Sequence, residues 1–227
     1  LLRSSTSNMN SSAATETPTP TLTWKCKCGK CQVKLNGEPA ASFNCHCRTC
    51  TATTRYITEK YPDGATELSN LEQKTGSAMS LWYMKDINFF QGSPHENLGY
   101  TKVGPDGTVL RSYTKCCGTQ AFVTGKEMKM STLRHFNRNC LYNEDGSKYT
   151  PKGEIPNIML AFAFEDVDTS VLPEPRYKFA SLKDMGVLMP NVIQKIFGGY
   201  GDKGENAEEP SMWVKSEDVT EVVPITW

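Results

Sequence analysis

Eight of the nine cysteines in this 227-residue chain fall into three clusters: Cys26-Lys-Cys28-Gly-Lys-Cys31, Cys45-His-Cys47-Arg-Thr-Cys50 and Cys116-Cys117-Gly118. Only Cys140 stands alone. Thiols at one- and two-residue spacings gather soft ligands around one zinc ion at Zn–S distances of about 2.3 Å. A disulfide framework is the competing reading of so many cysteines. Three points weigh against it: the odd count, the lack of a hydrophobic signal segment ahead of the first cluster, and a Cys-x-Cys spacing awkward for pairing but natural for metal. Metal binding is therefore expected, in a compartment that keeps thiols reduced.

The length suits one domain with tails, or at most two small ones. Lysine plus arginine and aspartate plus glutamate balance at 25 each, so no global field draws the chain to nucleic acid or an anionic membrane. The longest apolar run, 158–164, is too short to cross a bilayer, so no transmembrane segment is expected and the chain reads as soluble or peripheral. Residues 1–21 are rich in Ser, Thr, Ala and Pro and cannot bury enough apolar surface to offset their ordering entropy. They read as a flexible N-terminal arm or the remnant of an organellar transit segment, mitochondrial or plastid, with the cytoplasm as the alternative location. The first residue is not Met, which suggests processing or truncation.

From Leu22 onward, short strand-like pieces alternate with turn residues. Strands are expected at 32–35, 41–44, 55–58, 80–83, 87–91, 98–103, 108–113, 120–124 and 159–164. Asn36-Gly37 signals a hairpin and Gly104-Pro-Asp-Gly107 a tight turn. Residues 191–197 read as a short helix ended by Gly198-Gly199, and 201–210 as a loop. Trp213 and Trp227 are expected to pack the last stretch back. The fold class is mainly β with irregular termini and one short C-terminal helix. Its organisation is an arm over 1–21, a zinc-binding β domain over 22–175 and an extension over 176–227.

On a strand, Cys26 and Cys28 face the same side, and a knuckle closed by Gly29 would present both sulfurs to one ion. The strand ending at Cys116-Cys117 is the obvious donor of the partners, with Gly118 allowing a tight turn. Two adjacent cysteines bind one ion awkwardly, so Cys117 is favoured, with Cys31 or Cys116 filling the fourth position. Such a closed site is structural. Cys45, Cys47 and Cys50 form a three-thiol site on one short loop. Its fourth position is open, or is taken by water, by His46 or by a remote thiol. An open position distinguishes catalytic from structural zinc. Strand alternation turns His46 away from Cys45 and Cys47, and Cys140 reads as a small buried hydrophobe. His95 and His135, in polar surroundings, are expected at the surface.

The order Cys26-Lys-Cys28-Gly29, Cys45-His-Cys47-Arg-Thr-Cys50 and Arg111-Ser-Tyr-Thr-Lys-Cys116-Cys117-Gly118-Thr119, with Phe90-Gln-Gly92 and Leu98-Gly-Tyr100 between, resembles the glutathione-dependent formaldehyde-activating enzyme family. That family includes centromere protein V and belongs to the Mss4-like zinc folds; the resemblance covers about 24–175. It implies zinc-stapled antiparallel sheets with two zinc positions. Cys26 and Cys28 would pair with a Cys-x-x-Cys-Gly knuckle in the structural site, while Cys45, Cys47 and Cys50 would hold a second zinc that takes a thiol adduct. The implied activity is carbon–sulfur lyase chemistry, joining or splitting glutathione and a small aldehyde through a thiohemiacetal. The chain departs from the pattern at Thr114, where the knuckle's first cysteine would stand, and offers Cys116 instead, as in a divergent Cys-Cys branch.

Two functions follow. In the first, the chain is a zinc-dependent lyase with Cys45, Cys47 and Cys50 on the working metal and a glutathione-like thiol as co-substrate. Arg48, Arg55, Arg111 and Lys115 are then candidate carboxylate anchors, each with a plainer reading as a solvated surface charge. In the second, it is a non-catalytic accessory subunit of a larger assembly, binding a protein partner through its N-terminal arm and C-terminal extension. A nucleic-acid role is disfavoured by the balanced charge.

Overall fold

The computed structural model describes residues 21–63, 76–83, 86–88, 97–125, 133–178, 219 and 221–224. Residues 1–20 of the expected arm, the expected helix at 191–197, the loop at 201–210, Trp213, Trp227 and His95 lie outside the described residues, and Thr21, the last residue assigned to the arm, already belongs to a strand.

The chain is mainly β, as its alternation implies. Strands β1 (Thr21–Lys25), β2 (Gln32–Asn36), β5 (Ile87–Asn88) and β10 (Leu141–Tyr142) form a four-stranded sheet in the order β10-β1-β2-β5. The eight-stranded sheet contains β3 (Ala41–Cys45), β4 (Ser77–Tyr83), β6 (Leu98–Val103), β7 (Val109–Thr114), β8 (Gln120–Gly125), β9 (Leu133–Asn137), β11 (Asn157–Ile158) and β12 (Glu221–Val223). Its order is β11-β3-β4-β9-β8-β7-β6-β12. The expected antiparallel pairing holds inside both sheets but not at the edges of the larger one, where β11 on β3 and β12 on β6 run parallel.

Period-two alternation sorts each strand between two faces. Val33 and Leu35 on β2 and Leu22 and Trp24 on β1 are buried against Trp82, Phe122 and Phe136 of the larger sheet. Rings meet there at 6.3 Å between Trp24 and Phe136 and 5.9 Å between Phe122 and Phe136. Each such fully buried side chain stabilises the fold by about 1.5–3 kcal/mol. Cys140 is buried in this same core. The opposite face of the larger sheet carries Phe43, Cys45, Met79 and Val123 as a second apolar cluster with Cys50.

Four expectations are corrected. The segment 55–58 is not a strand; it belongs to a 13-residue helix, α1 (Arg48–Lys60). Its β-branched residues suit a strand, but two threonine hydroxyls bond back within the helix, Thr53 to the Thr49 carbonyl at 2.9 Å and Thr58 to the Thr54 carbonyl at 2.8 Å. Thr51 and Thr54 hold Gly76, by its N–H and its carbonyl respectively. Asn36-Gly37 turns the chain, with Gly37 at φ 84°, but the following strand enters the other sheet. The hairpin is β1–β2, and the first cysteine cluster is its loop. The apolar run 158–164 is strand only to Ile158; Met159 adopts a left-handed φ of 63° and a 3₁₀ turn follows. His135 is half-buried rather than a plain surface residue: it sits on β9 with its ring edge-on to Phe43 at 5.8 Å and its Nδ1 buried.

Candidate metal centres

The β1–β2 hairpin loop is closed by the Cys26 N–H on the Cys31 carbonyl and the Gly29 N–H on the Cys26 carbonyl, both 2.9 Å. A second tight loop follows β7, where the Thr114 N–H bonds the Thr119 carbonyl and the Gly118 N–H the Thr114 carbonyl. The two loops face each other. Sγ–Sγ separations are 3.6 Å for Cys26–Cys28, 3.8 Å for Cys26–Cys116, 3.3 Å for Cys28–Cys116 and 3.8 Å for Cys116–Cys117. Four sulfurs at about 2.3 Å from one zinc in a tetrahedron would stand about 3.8 Å apart. The donor set therefore fits a four-thiolate metal site, and all four sulfurs lie within 4.8 Å of one another.

Both adjacent cysteines belong to this group, so of the two candidates for the fourth position it is Cys116 and not Cys31 that joins Cys117; the pair lies in the loop beyond β7, where strand alternation no longer holds. Cys31 is buried in the hairpin core and stands outside the group. Thr114 Oγ1 lies 3.4 Å from Cys117 Sγ, and Thr119 Oγ1 lies 3.2 Å from it. Burial pushes the Cys117 thiol up, but these two hydroxyls, together with the backbone N–H groups of Cys28 and Thr119, outweigh it and bring it down to about 6. Burial lifts Cys26 to about 12. Beside this centre lies a cleft of about 540 Å³, lined by Lys27, Cys28, Lys60, Tyr61, Cys116 and Cys117.

The second centre spans the end of β3 and the start of α1. Cys45 closes the strand, Cys47 is the helix N-cap and Cys50 lies in its first turn. The three thiols sit not on a loop alone but at a helix N-terminus, where the macrodipole favours anions. Cys45 Sγ stands 3.5 Å from both Cys47 and Cys50 Sγ, again close to the spacing of zinc-bound sulfurs. Cys45 and Cys50 are buried and Cys47 is half-buried. Hydrogen bonds from the Cys45 and Cys50 thiols and from Thr49 lower Cys47 despite its burial. The same sharing of protons, with Cys47 foremost, drives Cys45 up. At Cys50 the bond with Cys45 pulls down, but the bond with Cys47 and burial lift it to about 12. Of the three thiols Cys47 is thus the one most readily held as the anion.

Among the described residues no fourth His, Cys, Asp or Glu joins this group. His46 points away, as alternation implies. Its Nε2 donates to Asn157 Oδ1 at 2.9 Å, tying β3 to β11, and burial lowers its pKa despite that bond. Of the candidate anchors, Arg55 pairs with Asp166 and lies over the Phe164 ring at 5.3 Å. Arg48 makes a long bond, 3.4 Å, from Nε to the Ala163 carbonyl and lies over the same ring at 6.0 Å. Arg111 is not a surface anchor. It is 4% exposed, and its Nη2 reaches Thr49 Oγ1 at 3.0 Å and Cys50 Sγ at 3.8 Å. Lys115 is exposed, its backbone N–H held by the Asn97 carbonyl.

Sequence reasoning missed α1, the inward role of Arg111 and a polar cluster at the far end of the helix. There Glu221 of β12 accepts from Lys60 at 2.7 Å and from Tyr113 at 2.7 and 2.8 Å. The recurrence of Thr49/Thr53 and Thr54/Thr58 at four-residue spacing was the available signal for the helix.

No family model and no curated protein matches this chain. Among solved structures it is similar to a Rhodobacter sphaeroides protein, a structural-genomics target, at 14% identity and a TM-score of 0.35 over 68% of this chain and 98% of that one. Likeness at that level carries no argument about function.

Proposed function

We propose that the chain is a two-zinc protein in which Cys26, Cys28, Cys116 and Cys117 hold a structural ion and Cys45, Cys47 and Cys50 a working one. The reaction is carbon–sulfur lyase chemistry on the adduct of a glutathione-like thiol and a small aldehyde. The observation that carries this reading is the second centre: three thiols at metal-ligand spacing on a helix N-terminus, with no fourth protein ligand among the described residues. Zinc there would supply a Lewis acid able to stabilise a thiolate near neutral pH. Cys45 and Cys50 anchor the centre from within the core, and half-buried Cys47 presents it toward solvent. Arg48, next in sequence, exposed and paired with no carboxylate among the described residues, is the cation best placed to take a substrate carboxylate. Arg55 would have to leave Asp166 to do so.

A second reading, an accessory subunit that keeps the zinc fold without the reaction, is favoured by that commitment of Arg55 to Asp166. Zinc counting by native mass spectrometry, with and without glutathione, separates the two. Two zincs and a retained glutathione adduct support the lyase. Two zincs with no adduct, and no turnover of the thiol–aldehyde pair, support the accessory subunit. A single zinc refutes the two-centre reading.

A further inference from the structure

Arg111 poses a charge problem that the second centre can solve. It projects from β7 onto the sheet face that α1 covers, and at 4% exposure it is almost wholly withdrawn from water. An isolated buried guanidinium is costly unless an anion compensates it. Among the described residues no carboxylate pairs with it; the ion pairs join Arg55–Asp166, Lys60–Glu221, Lys152–Glu38 and Arg176–Glu174. Its Nη1 is directed at the Val109 carbonyl at 3.4 Å, and its Nε is buried without a hydrogen-bond partner. The neighbouring His135 supplies no anion, an imidazole being neutral or cationic; burial, then Arg111 and Arg134, hold its pKa down at about 4 and keep it neutral. What remains is sulfur. Nη2 reaches Cys50 Sγ directly at 3.8 Å, and Thr49 Oγ1 at 3.0 Å. That hydroxyl, accepting from Arg111, can donate onward to Cys47 Sγ at 3.2 Å. One guanidinium therefore addresses two of the three sulfurs.

We infer that Arg111 is the built-in counter-charge of the second centre, a positioning residue that makes a three-thiolate, divalent-metal unit electrically neutral. Two positive charges on the ion against three thiolates leave one negative charge, and Arg111 cancels it. The inference rests on the reading that Cys45, Cys47 and Cys50 hold a divalent metal. It adds that their affinity for that metal depends on a residue which is not a ligand.

The test is chelator competition on the full chain, resolving the two zinc affinities in wild type, R111K and R111M. The first centre, built without Arg111, is the internal control. R111M is expected to lower zinc affinity at the second centre by about 10- to 100-fold, the usual range for partners behind metal ligands. The first centre should be unchanged, and R111K should recover most of the loss. Should R111M not fold, Thr49→Val serves: Thr49 is exposed, and losing its hydroxyl cuts the link to Cys47, so a selective loss of several-fold is expected. Equal losses at both centres would reduce Arg111 to a packing role and overturn the inference. So would unchanged affinity in metallated variants. A wild type that binds no metal at Cys45–Cys50 overturns the underlying reading and this inference with it.

Discussion

Gly118 is the position where a single methyl group should do the most measurable damage to the first centre. Its φ of +67° is left-handed, and an added Cβ would lie well inside 3.0 Å of Tyr61 Cβ and Cγ, the C-cap residue of α1. Two costs follow from Gly118→Ala. The left-handed backbone costs an L-residue about 1–2 kcal/mol, and forcing atoms into a filled space costs about 1–3 kcal/mol. The sum is about 2–5 kcal/mol. Gly146 separates the two, because its φ is +83° and a Cβ there meets nothing within 4 Å. Gly146→Ala should therefore lose only the backbone part. The difference, about 1–3 kcal/mol, corresponds to about 3–9 °C in Tm at about 3 °C per kcal/mol for a chain of this size. Thermal melts of both variants with zinc in excess read it directly. Because Gly118 follows Cys117, Gly118→Ala should also weaken zinc at the first centre and spare the second. Trimming the partner in the double variant G118A/Y61A should be less damaging than the two changes summed, the sign of a shared contact. Equal melting losses for Gly118→Ala and Gly146→Ala would refute the close approach of the loop to the helix.

Cys28→Ser should release the first zinc and lower Tm markedly, since metal binding there is folding energy, whereas Cys47→Ser should remove only the second zinc and leave the melt near wild type; zinc counts paired with melts check both. Glu221 is held below its ordinary pKa of 4.5: burial pushes it up, but hydrogen bonds from Lys60 and Tyr113 outweigh that. A depressed carboxylate gives stability that is fully present above its unfolded pKa and is lost as pH falls through the folded one. Glu221→Gln should thus melt lower than wild type at pH 7, by about 1 kcal/mol, and the gap should close below pH 4.5. Arg48→Met should weaken retention of a glutathione adduct in native mass spectra, while Arg55→Met should not, because Arg55 already serves Asp166; the reverse result would reassign the anchor.

How much of this was written in the sequence depends on which interactions are local. β2 was legible because alternation fixes which of its residues are buried, Val33 and Leu35, whatever the strand pairs with. The cysteine clusters were legible because ligand spacing is itself a local property. The destination of β3 was not, since the turn at Asn36-Gly37 looks the same whether the next strand pairs back or crosses to another sheet. Nor was α1, whose threonines favour a strand until tertiary partners such as Gly76 claim their hydroxyls. Arg111 could not be read as buried, because its compensating sulfurs lie about sixty residues away in sequence and meet it only once α1 covers the sheet.

These non-local features have a common cause in α1. A helix of 13 residues with five threonines has weak intrinsic stability, so its ends must be held from outside. At the N-terminus Cys47 places thiolate character where the dipole is positive, and Arg111 ties Thr49 and Cys50 to β7. At the C-terminus Lys60 stands where the dipole is negative, paired with Glu221 of β12, and Tyr61 is pressed against the Gly118 loop of the first centre. Each cysteine centre thus abuts one end of the same helix. The arrangement explains why a chain with so unpromising a helical segment concentrates its cysteines where it does: the clusters are the points at which a locally indifferent sequence is given its tertiary instructions.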